Sequence, residues 1–200
     1  MFEVIFNSAC QFEMLMGCAA GKSDGRDYLR YIHLDTNTMV ADATDAHIAA
    51  RFVDAFIVEG DTPSEQSLLL TPPKKALPKN LLKVVVRCYP DGHAVVAGVK
   101  LNRYGREEVA AEMPASWQAG RYPDTRDVLS PVVEKQPTDF SGGIPVSAEL
   151  FGRVCGVLAK HSAGHHGGIV VAQHGNLCSI HSDLLCVAPG DVVAIMTMTL

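Results

Sequence analysis

The sequence lacks the features that mark membrane and secreted proteins. Of its 200 residues 48% are hydrophobic, but no apolar run approaches the roughly 20 residues that a membrane-spanning helix needs. The opening residues Met1-Phe2-Glu3-Val4 have neither the charged start nor the cleavage site of a signal peptide. We therefore expect a cytoplasmic protein that has no membrane partner.

Arrangements typical of catalysis are missing as well. The sequence has no nucleophile paired with a base, no glycine-rich phosphate loop and no acid pair. Its six cysteines form no C-x-x-C pair and lie among apolar neighbours, as expected for buried thiols in a reducing compartment. We expect a protein that is not an enzyme and that needs no cofactor.

A metal site is the enzymatic alternative that the residue pattern offers. Histidines and cysteines crowd the C-terminal quarter: His161, His165, His166, His174, His181, Cys178 and Cys186. None of them has the spacing H-E-x-x-H or paired C-x-x-C, and strand alternation scatters them over both faces of a sheet. We expect no metal ion.

Positive charge is scarce in the chain. Lysine and arginine total 17 against 22 aspartate and glutamate, which gives a net charge of -5. This balance excludes a protein that is basic over its whole surface, but an acidic average leaves room for a local basic face. Nucleic acid therefore stays among the partners to consider.

Apolar patterns of the same order recur three times along the chain. Each unit begins with a strand-like alternation, continues with helical spacing and ends in further strands. The strands are predicted at residues 2–6, 28–34, 39–43, 49–58, 67–70, 83–89, 93–101, 107–112, 144–146, 169–173, 177–181 with 184–187, and 192–198. The helices are predicted after the N-cap Ser8, at residues 72–82, where Pro78 should shorten or kink the helix, and after the N-cap Ser147. Three βαβββ half-domains of this kind predict an α+β fold with helices on one face of antiparallel sheets.

The three units divide the chain unevenly. Residues 1–130 hold two units and make one domain, residues 131–143 form a polar connector, and residues 144–200 hold a single half-domain. The helix of this half-domain carries an apolar stripe: Leu150, Phe151, Val154 and Leu158. Because proteins seldom leave such a stripe or a sheet edge bare, we expect a homo-oligomer with contacts around Phe151 and the strands near Ile169 or Val192.

Residues 116–129 concentrate conformational constraints and predict a rigid corner. Gly120 can adopt backbone angles forbidden to other residues, and Pro123 fixes its own φ and holds Tyr122 extended. The Asp124 side chain can fold onto the backbone two residues on. A surface loop is the plainer interpretation of such a string.

Three stretches of the sequence resemble one known family. They are the corner Gly120-Arg121-Tyr122-Pro123-Asp124 with Val128-Leu129, the stretch Ala43-Thr44-Asp45-Ala46-His47-Ile48-Ala49, and the ending Ile195-Met196-Thr197-Met198-Thr199-Leu200. The second is similar to A-T-D-G-H-R-L-A, and the third to V-M-P-M-R-L, of the bacterial β sliding clamp, the processivity subunit of the replicative DNA polymerase. The stretches occur in the family's order and at matching places of the βαβββ pattern, so the resemblance covers nearly the whole chain.

The resemblance implies a protein that encircles duplex DNA and tethers replication proteins by a short clamp-binding peptide. It implies an apolar peptide pocket formed by Leu29, Thr44, His47, Pro123, Val128, Met196 and Met198. Methionines and a valine around a proline suit such an adaptable pocket. The sequence departs from the family at Ala46, Ile48, Asp127, Thr197 and Thr199, which leaves the choice of partner open.

The resemblance also implies helices that face DNA. Positive side chains on the predicted second and third helices would contact phosphates without reading bases: Lys74, Lys75, Lys79, Arg153 and Lys160. A solvated helix face is the alternative for each of them. A second function also stays open, because a clamp relative that lacks a half-domain could capture clamp-binding peptides as an adaptor or decoy without forming a ring.

Overall fold

The alternating apolar segments form strands, and the two helices with serine N-caps form where they are predicted. A computed structural model describes residues 1–19, 26–61, 64–126, 129, 132, 146–162 and 169–196. The strands in these ranges are β1 (Phe2–Phe6), β2 (Ile32–Asp35), β3 (Val40–Thr44), β4 (Ile48–Phe52), β5 (Phe56–Gly60), β6 (Ser67–Thr71), β7 (Lys83–Cys88), β8 (His93–Leu101), β9 (Glu107–Ala119), β10 (Val170–His174), β11 (Leu177–His181) and β12 (Val192–Met196). The α-helices whose bounds are described are α1 (Ala9–Cys18) and α2 (Ala148–His161), and a 3-10 helix spans Asp27–Arg30.

The twelve strands form one antiparallel sheet in the order β10-β11-β12-β4-β3-β2-β6-β9-β8-β7-β1-β5. The strands of the third unit join those of the first, because β12 pairs with β4 with Ile195 opposite Ile48 and Val192 opposite Arg51. The sheet ends in β5 on one side and β10 on the other. Residues far apart in the chain therefore meet at the junction of β12 and β4.

Both α-helices pack against the same face of the sheet. The Ser8 hydroxyl accepts the Gln11 N–H at 3.2 Å, and the Ser147 hydroxyl accepts the Leu150 N–H at 3.4 Å. These bonds satisfy amides that the first turn of a helix leaves free. The α+β arrangement predicted from the sequence is thus present, and neither described helix is long and apolar enough to cross a membrane.

The apolar stripe of α2 is covered within the chain, so the expectation that this stripe needs a second chain to cover it is wrong. Val154 and Leu158 are buried, and Leu150 and Phe151 pack against the main core. That core also contains Phe12 and Leu15 of α1. Strand β12, which was expected at the contact between chains, is paired on both sides by β4 and β11.

The predicted second helix is absent, which is a further correction. Residues 72–82 form bends and irregular backbone between β6 and β7. Pro78 explains this, because a proline inside a helix removes a backbone donor and clashes with the preceding turn. Leu77 is nevertheless buried in the main core, and Leu81 packs against it, so the segment covers the sheet without a helix.

Several predicted strands have other bounds. Residues 27–30 are a 3-10 helix, and the strand predicted at 49–58 is two strands separated at Asp54, whose φ is 50°. Residues 184–187 do not continue β11, whereas β9 continues to Ala119 and pairs there with β6. The division into domains stays a prediction, because Val132 is the one described residue of the predicted connector 131–143.

Candidate peptide-binding site

A tight turn between β3 and β4 forms the first wall of the candidate site. Asp45 Oδ1 accepts the amides of His47 and Ile48, each at 2.9 Å. Thr44 Oγ1 accepts the Ala46 N–H and donates to the Ile48 carbonyl, also at 2.9 Å. Ala46 has φ 74°, in the left-handed region that favours glycine. This is the position at which the resembled family has glycine, so the departure at Ala46 carries backbone strain.

The corner after β9 forms the second wall. The Gly120 N–H donates to the Ser67 carbonyl at 3.1 Å, and the Ser67 hydroxyl donates to the Gly120 carbonyl at 2.5 Å. The Tyr122 hydroxyl accepts the Thr44 N–H at 3.0 Å. These three bonds fix the corner on the sheet and bring Pro123 to the cavity that Thr44 also lines.

Two constraints predicted for the corner have different outcomes. Asp124 Oδ1 accepts the Arg126 N–H at 2.9 Å, so the predicted fold of this side chain onto the backbone is confirmed. Gly120 does not have a positive φ, so the predicted special backbone angle is wrong. A Cβ at Gly120 would lie 2.6 Å from Leu69 Cδ1, so a larger residue there would displace the Leu69 side chain.

Strands β11 and β12 form the third wall. The Met196 N–H donates to the His47 carbonyl at 2.8 Å, which attaches the end of β12 to the turn. Leu177 lies opposite Met196 in the β11–β12 pair, and Ala194 lies opposite Ala49 in the β12–β4 pair. The junction between the first and third units therefore builds this side of the site.

The three walls enclose a cavity of about 310 Å³, which we call the corner pocket. It is lined by Arg26, Tyr28, Leu29, Thr44, Ala46, His47, Ile48, Ala49, Pro123, Asp124, Thr125, Leu129, Leu177, Ala194 and Met196. The structure thus brings together the predicted pocket residues Leu29, Thr44, His47, Pro123 and Met196. The other two, Val128 and Met198, lie outside the described residues. Peptide binding itself stays a prediction.

The corner pocket has an apolar floor and an exposed rim. Leu29, Leu129 and Leu177 are buried at its base, whereas Met196 and Tyr28 are exposed at its edge. Sites with apolar floors of this size bind the side chains of ligands, and a few polar groups at the rim orient them. The arrangement suits an apolar anchor residue whose backbone stays near the surface.

Sequence reasoning missed several lining residues. Leu129 stands inside the quoted corner stretch, so that stretch was itself the signal. Leu177 and Ala194 lie on the strand face that lines the pocket. The alternation of side chains along a strand identifies this face only when the pairing of β12 with β4 is known. Tyr28 was assigned to a strand, which concealed its position on the 3-10 helix.

A polar cluster supports the corner from the neighbouring strands. Asp42 is buried, and its Oδ2 accepts a hydrogen bond from Arg51 at 3.3 Å and lies 3.3 Å from His33 Nδ1. His33 Nε2 lies 3.0 Å from the Ser67 hydroxyl, and the His33 ring stacks on Tyr122 with centroids 5.0 Å apart. The cluster therefore joins β2, β3, β4 and β6 to the corner.

Asp124 keeps its negative charge at the rim of the pocket. Hydrogen bonding from Arg126 lowers the pKa of Asp124 to about 2, against a smaller opposing effect of burial. Burial raises the pKa of Tyr122, so its hydroxyl stays protonated at neutral pH. The rim thus presents one fixed carboxylate, and the tie to Thr44 is made by a neutral hydroxyl.

The residues predicted to face DNA are only partly brought together. Lys74, Lys75 and Arg153 line a groove of about 440 Å³ beside α1 and α2. Lys74, Lys75 and Lys79 do not lie on a helix, which corrects that part of the prediction. Lys160 donates to Glu13, and Arg153 donates to Asp45 at 3.1 Å. Two of the predicted phosphate-binding groups are therefore bonded to carboxylates.

Two histidines of the metal alternative have other partners. His161 Nε2 lies 2.7 Å from Glu13 Oε2, and His174 Nε2 lies 3.1 Å from the Ser179 hydroxyl. His165 and His166 lie outside the described ranges. Within those ranges, no group of three or more histidine, cysteine, aspartate or glutamate residues is placed to hold a metal ion. Burial raises the pKa of Cys178 and of Cys186, so these thiols stay protonated at neutral pH.

Two solved structures are similar to the chain. A provisionally assigned DNA polymerase III beta subunit from Eubacterium rectale aligns with 100% of this chain, with a TM-score of 0.51 and 9% identity, over 66% of its own length. A DNA polymerase III beta subunit from Thermotoga maritima aligns with 98% of this chain, with a TM-score of 0.53 and 13% identity, over 64% of its own length. No protein-family profile and no curated protein matches the sequence.

These likenesses concern the fold, since the sequence identities are low. The chain spans slightly less than two thirds of each of the two proteins. The predicted resemblance and the predicted α+β class are both confirmed at this level. The chain has the fold of the DNA polymerase III beta subunit.

Proposed function

We propose that the chain is a sliding-clamp-type protein that captures short clamp-binding peptides of a polymerase or another replication partner in the corner pocket. The observation that carries the proposal is the meeting of three distant stretches, the turn at Thr44, the corner at Pro123 and the strand end at Met196, around one apolar cavity. These are the stretches on which the sequence resemblance rests. The proposed activity is binding, and it involves no catalysis and no cofactor.

The chemistry of the pocket supports an apolar anchor in an extended peptide. Leu29, Leu129 and Leu177 offer a buried surface, and a leucine or aromatic side chain that enters it loses contact with water. Each such burial contributes about 1.5–3 kcal/mol. Because this contribution is not ionic, the affinity for peptide should survive high salt.

We propose in addition a contact with duplex DNA that does not depend on sequence. Lys74 and Lys75 support it, because both are exposed and line the groove beside α1 and α2 together with Arg153. Positive side chains on such a surface release counterions from phosphates, so this binding should weaken steeply with salt. The opposite responses to salt separate the two binding modes.

A second candidate function is a peptide-capturing adaptor or decoy that forms no ring. It is favoured by the carboxylates beside the proposed DNA surface, since Glu13 engages Lys160 and Asp45 engages Arg153. It is also favoured by the covered stripe of α2, which removes one reason for assembly. In this case peptide binding remains and binding to DNA is absent.

A homo-oligomer remains part of the main proposal, with a different contact. Among the described residues the sheet ends in β5 and β10, and Ile57 of β5 and Val170 of β10 are exposed. Unpaired strand edges are templates for pairing with another chain. We therefore place the contact between β10 of one copy and β5 of the next, a head-to-tail arrangement that closes into a ring if its rotation allows.

The proposal is tested with a fluorescein-labelled peptide that carries a glutamine followed by leucine and an aromatic residue. We expect saturable binding by fluorescence anisotropy and a 5- to 30-fold loss in Met196→Ala, about 1–2 kcal/mol for truncation of an anchor contact. Leu101→Ala is the matched control, since Met196 and Leu101 are 41% and 52% exposed. A peptide that does not bind, or that binds both variants equally, would remove the proposal.

The same titration with duplex DNA separates the two candidate functions. Lys74→Ala combined with Lys75→Ala should reduce the slope of log affinity against log salt by about 2, because two phosphate contacts are lost. Lys79→Ala is the control, since Lys79 is exposed on the same segment but does not line the groove. Peptide binding without DNA binding would establish the adaptor.

A further inference from the structure

Two of the three walls of the corner pocket, the Thr44 turn and the Pro123 corner, come from segments 78 residues apart in sequence, and a hydrogen bond between Tyr122 and Thr44 joins them. Thr44 and Pro123 line the pocket, whereas Tyr122 does not. Pro123 is exposed, so its position depends on what holds the adjacent residue. Tyr122 is thus the residue next to Pro123 that is bonded directly to the opposite wall.

The Thr44 amide needs an acceptor at this place. Asp45 N–H donates to the Ile48 carbonyl across the β3–β4 turn, and successive amides of a strand point to opposite sides. The Thr44 N–H therefore points toward β2. Strand β2 begins at Ile32, and its pairing with β3 reaches only His33 opposite Asp42. Because β2 does not extend back far enough to reach Thr44, the Tyr122 hydroxyl supplies the acceptor instead.

The Tyr122 ring is fixed as firmly as its hydroxyl. It stacks on His33 with an angle of 7° between the ring planes. His33 is held in turn between Asp42 and Ser67, and the Ser67 hydroxyl binds the Gly120 carbonyl. Side-chain networks that connect several strands hold their members in one geometry. The ring and the start of the corner thus share one support.

We propose that Tyr122 is a positioning residue of the corner pocket, which sets the gap between the Thr44 wall and the Pro123 wall through its hydroxyl and its stacked ring. This inference rests on the proposed capture of peptides. A peptide anchored between the walls depends on that gap, since a contact lengthened by a fraction of an ångström loses much of its dispersion energy. Tyr122 acts on the peptide through Thr44 and Pro123 without touching it.

The test is Tyr122→Phe, which removes the acceptor and keeps the stacked ring. We expect the labelled peptide to bind about 3- to 10-fold more weakly, the equivalent of one hydrogen bond. We also expect faster hydrogen exchange at the Thr44 amide, followed by NMR, which a change in overall stability alone would not confine to that amide. Tyr104→Phe is the control, because Tyr104 is exposed at the tip of the β8–β9 hairpin.

Each outcome decides the matter. Weaker binding together with faster exchange at Thr44 supports the positioning role. If the peptide binds the native chain and Tyr122→Phe equally well, the role is refuted and the peptide pocket stands. If the native chain binds no peptide, both the peptide pocket and the positioning role are refuted. Faster exchange at the Thr44 amide in Tyr122→Phe would then show only that the Tyr122–Thr44 hydrogen bond supports the fold.

Discussion

Glu13 joins the two α-helices, and replacing it tests whether this contact holds the third unit to the first. Glu13 on α1 accepts hydrogen bonds from Lys160 and His161 on α2. The side chains of Glu13 and Lys160 are only 12% and 16% exposed. Glu13→Gln therefore leaves the Lys160 ammonium nearly buried without its counter-charge.

The expected loss follows from this partial burial. Breaking a fully buried ion pair by removing one partner costs about 3–5 kcal/mol. Since the pair keeps some contact with solvent, we expect Glu13→Gln to lower the free energy of unfolding by about 2–3 kcal/mol at pH 7. The measurement is urea unfolding, in which the midpoint should fall with an unchanged slope. Glu149→Gln is the control, because Glu149 pairs with Arg153 but is 76% exposed.

The pH dependence gives the sharper test. Burial acts to raise the pKa of Glu13, but hydrogen bonds and charge from His161 and Lys160 outweigh it and lower the pKa below its usual value of 4.5. A carboxyl with a lowered folded pKa stabilises the fold above its unfolded pKa, and this contribution disappears as the pH falls through the folded pKa. The difference between the native chain and Glu13→Gln should therefore be full above pH 5 and shrink below about pH 4. A difference that is independent of pH, or no larger than that of Glu149→Gln, would refute the reasoning.

Two further predictions concern the turn and the sheet edge. Ala46→Gly should raise the free energy of unfolding by about 0.5–1 kcal/mol, because a left-handed alanine costs about 1–2 kcal/mol and glycine loses somewhat more entropy on folding. The control Ala159→Gly, on the exposed face of α2, should instead lower the free energy of unfolding by about 1 kcal/mol. If urea unfolding shows a lower stability for both variants, Ala46 is not strained. Val170→Lys should shift the chain toward monomer in light scattering, because a lysine on an edge strand opposes pairing. Val187→Lys is its control, since Val170 and Val187 are 63% and 70% exposed and Val187 is not in a strand. An unchanged molecular mass for Val170→Lys would exclude the β10 edge as the contact.

Local patterns predicted much of the fold. Strand β8 (His93–Leu101) and the serine N-caps of α1 and α2 follow from alternation and capping chemistry, which involve neighbours in sequence. The failed helix at residues 72–82 shows the limit of the same reasoning. Its leucines do reach the core, but Pro78 prevents the backbone from forming the helix that their spacing suggests.

What the sequence could not predict depends on distant partners. The stripe with Val154 was expected to need a second chain, because nothing local shows that α1 packs against it. For the pocket, the resembling stretches predicted Thr44, Pro123 and Met196 as lining residues, but Leu177 required knowledge of the strand order. The tie between Tyr122 and Thr44 is likewise invisible until the corner is folded onto the sheet.

The corner pocket and the joint between the first and third units are built from the same bonds, so each should affect the other. Met196 donates to the His47 carbonyl at the end of the β12–β4 pair, and Asp45 of the same turn binds Arg153 of α2. A peptide that contacts both Met196 and the turn needs β12 paired with β4, because that pairing brings the two together. At a free peptide concentration 100 times its Kd it would stabilise this arrangement of the first and third units by about 2.7 kcal/mol, comparable to the contribution expected from Glu13. Because linkage is reciprocal, a change that loosens the joint must weaken peptide binding by the same coupling energy.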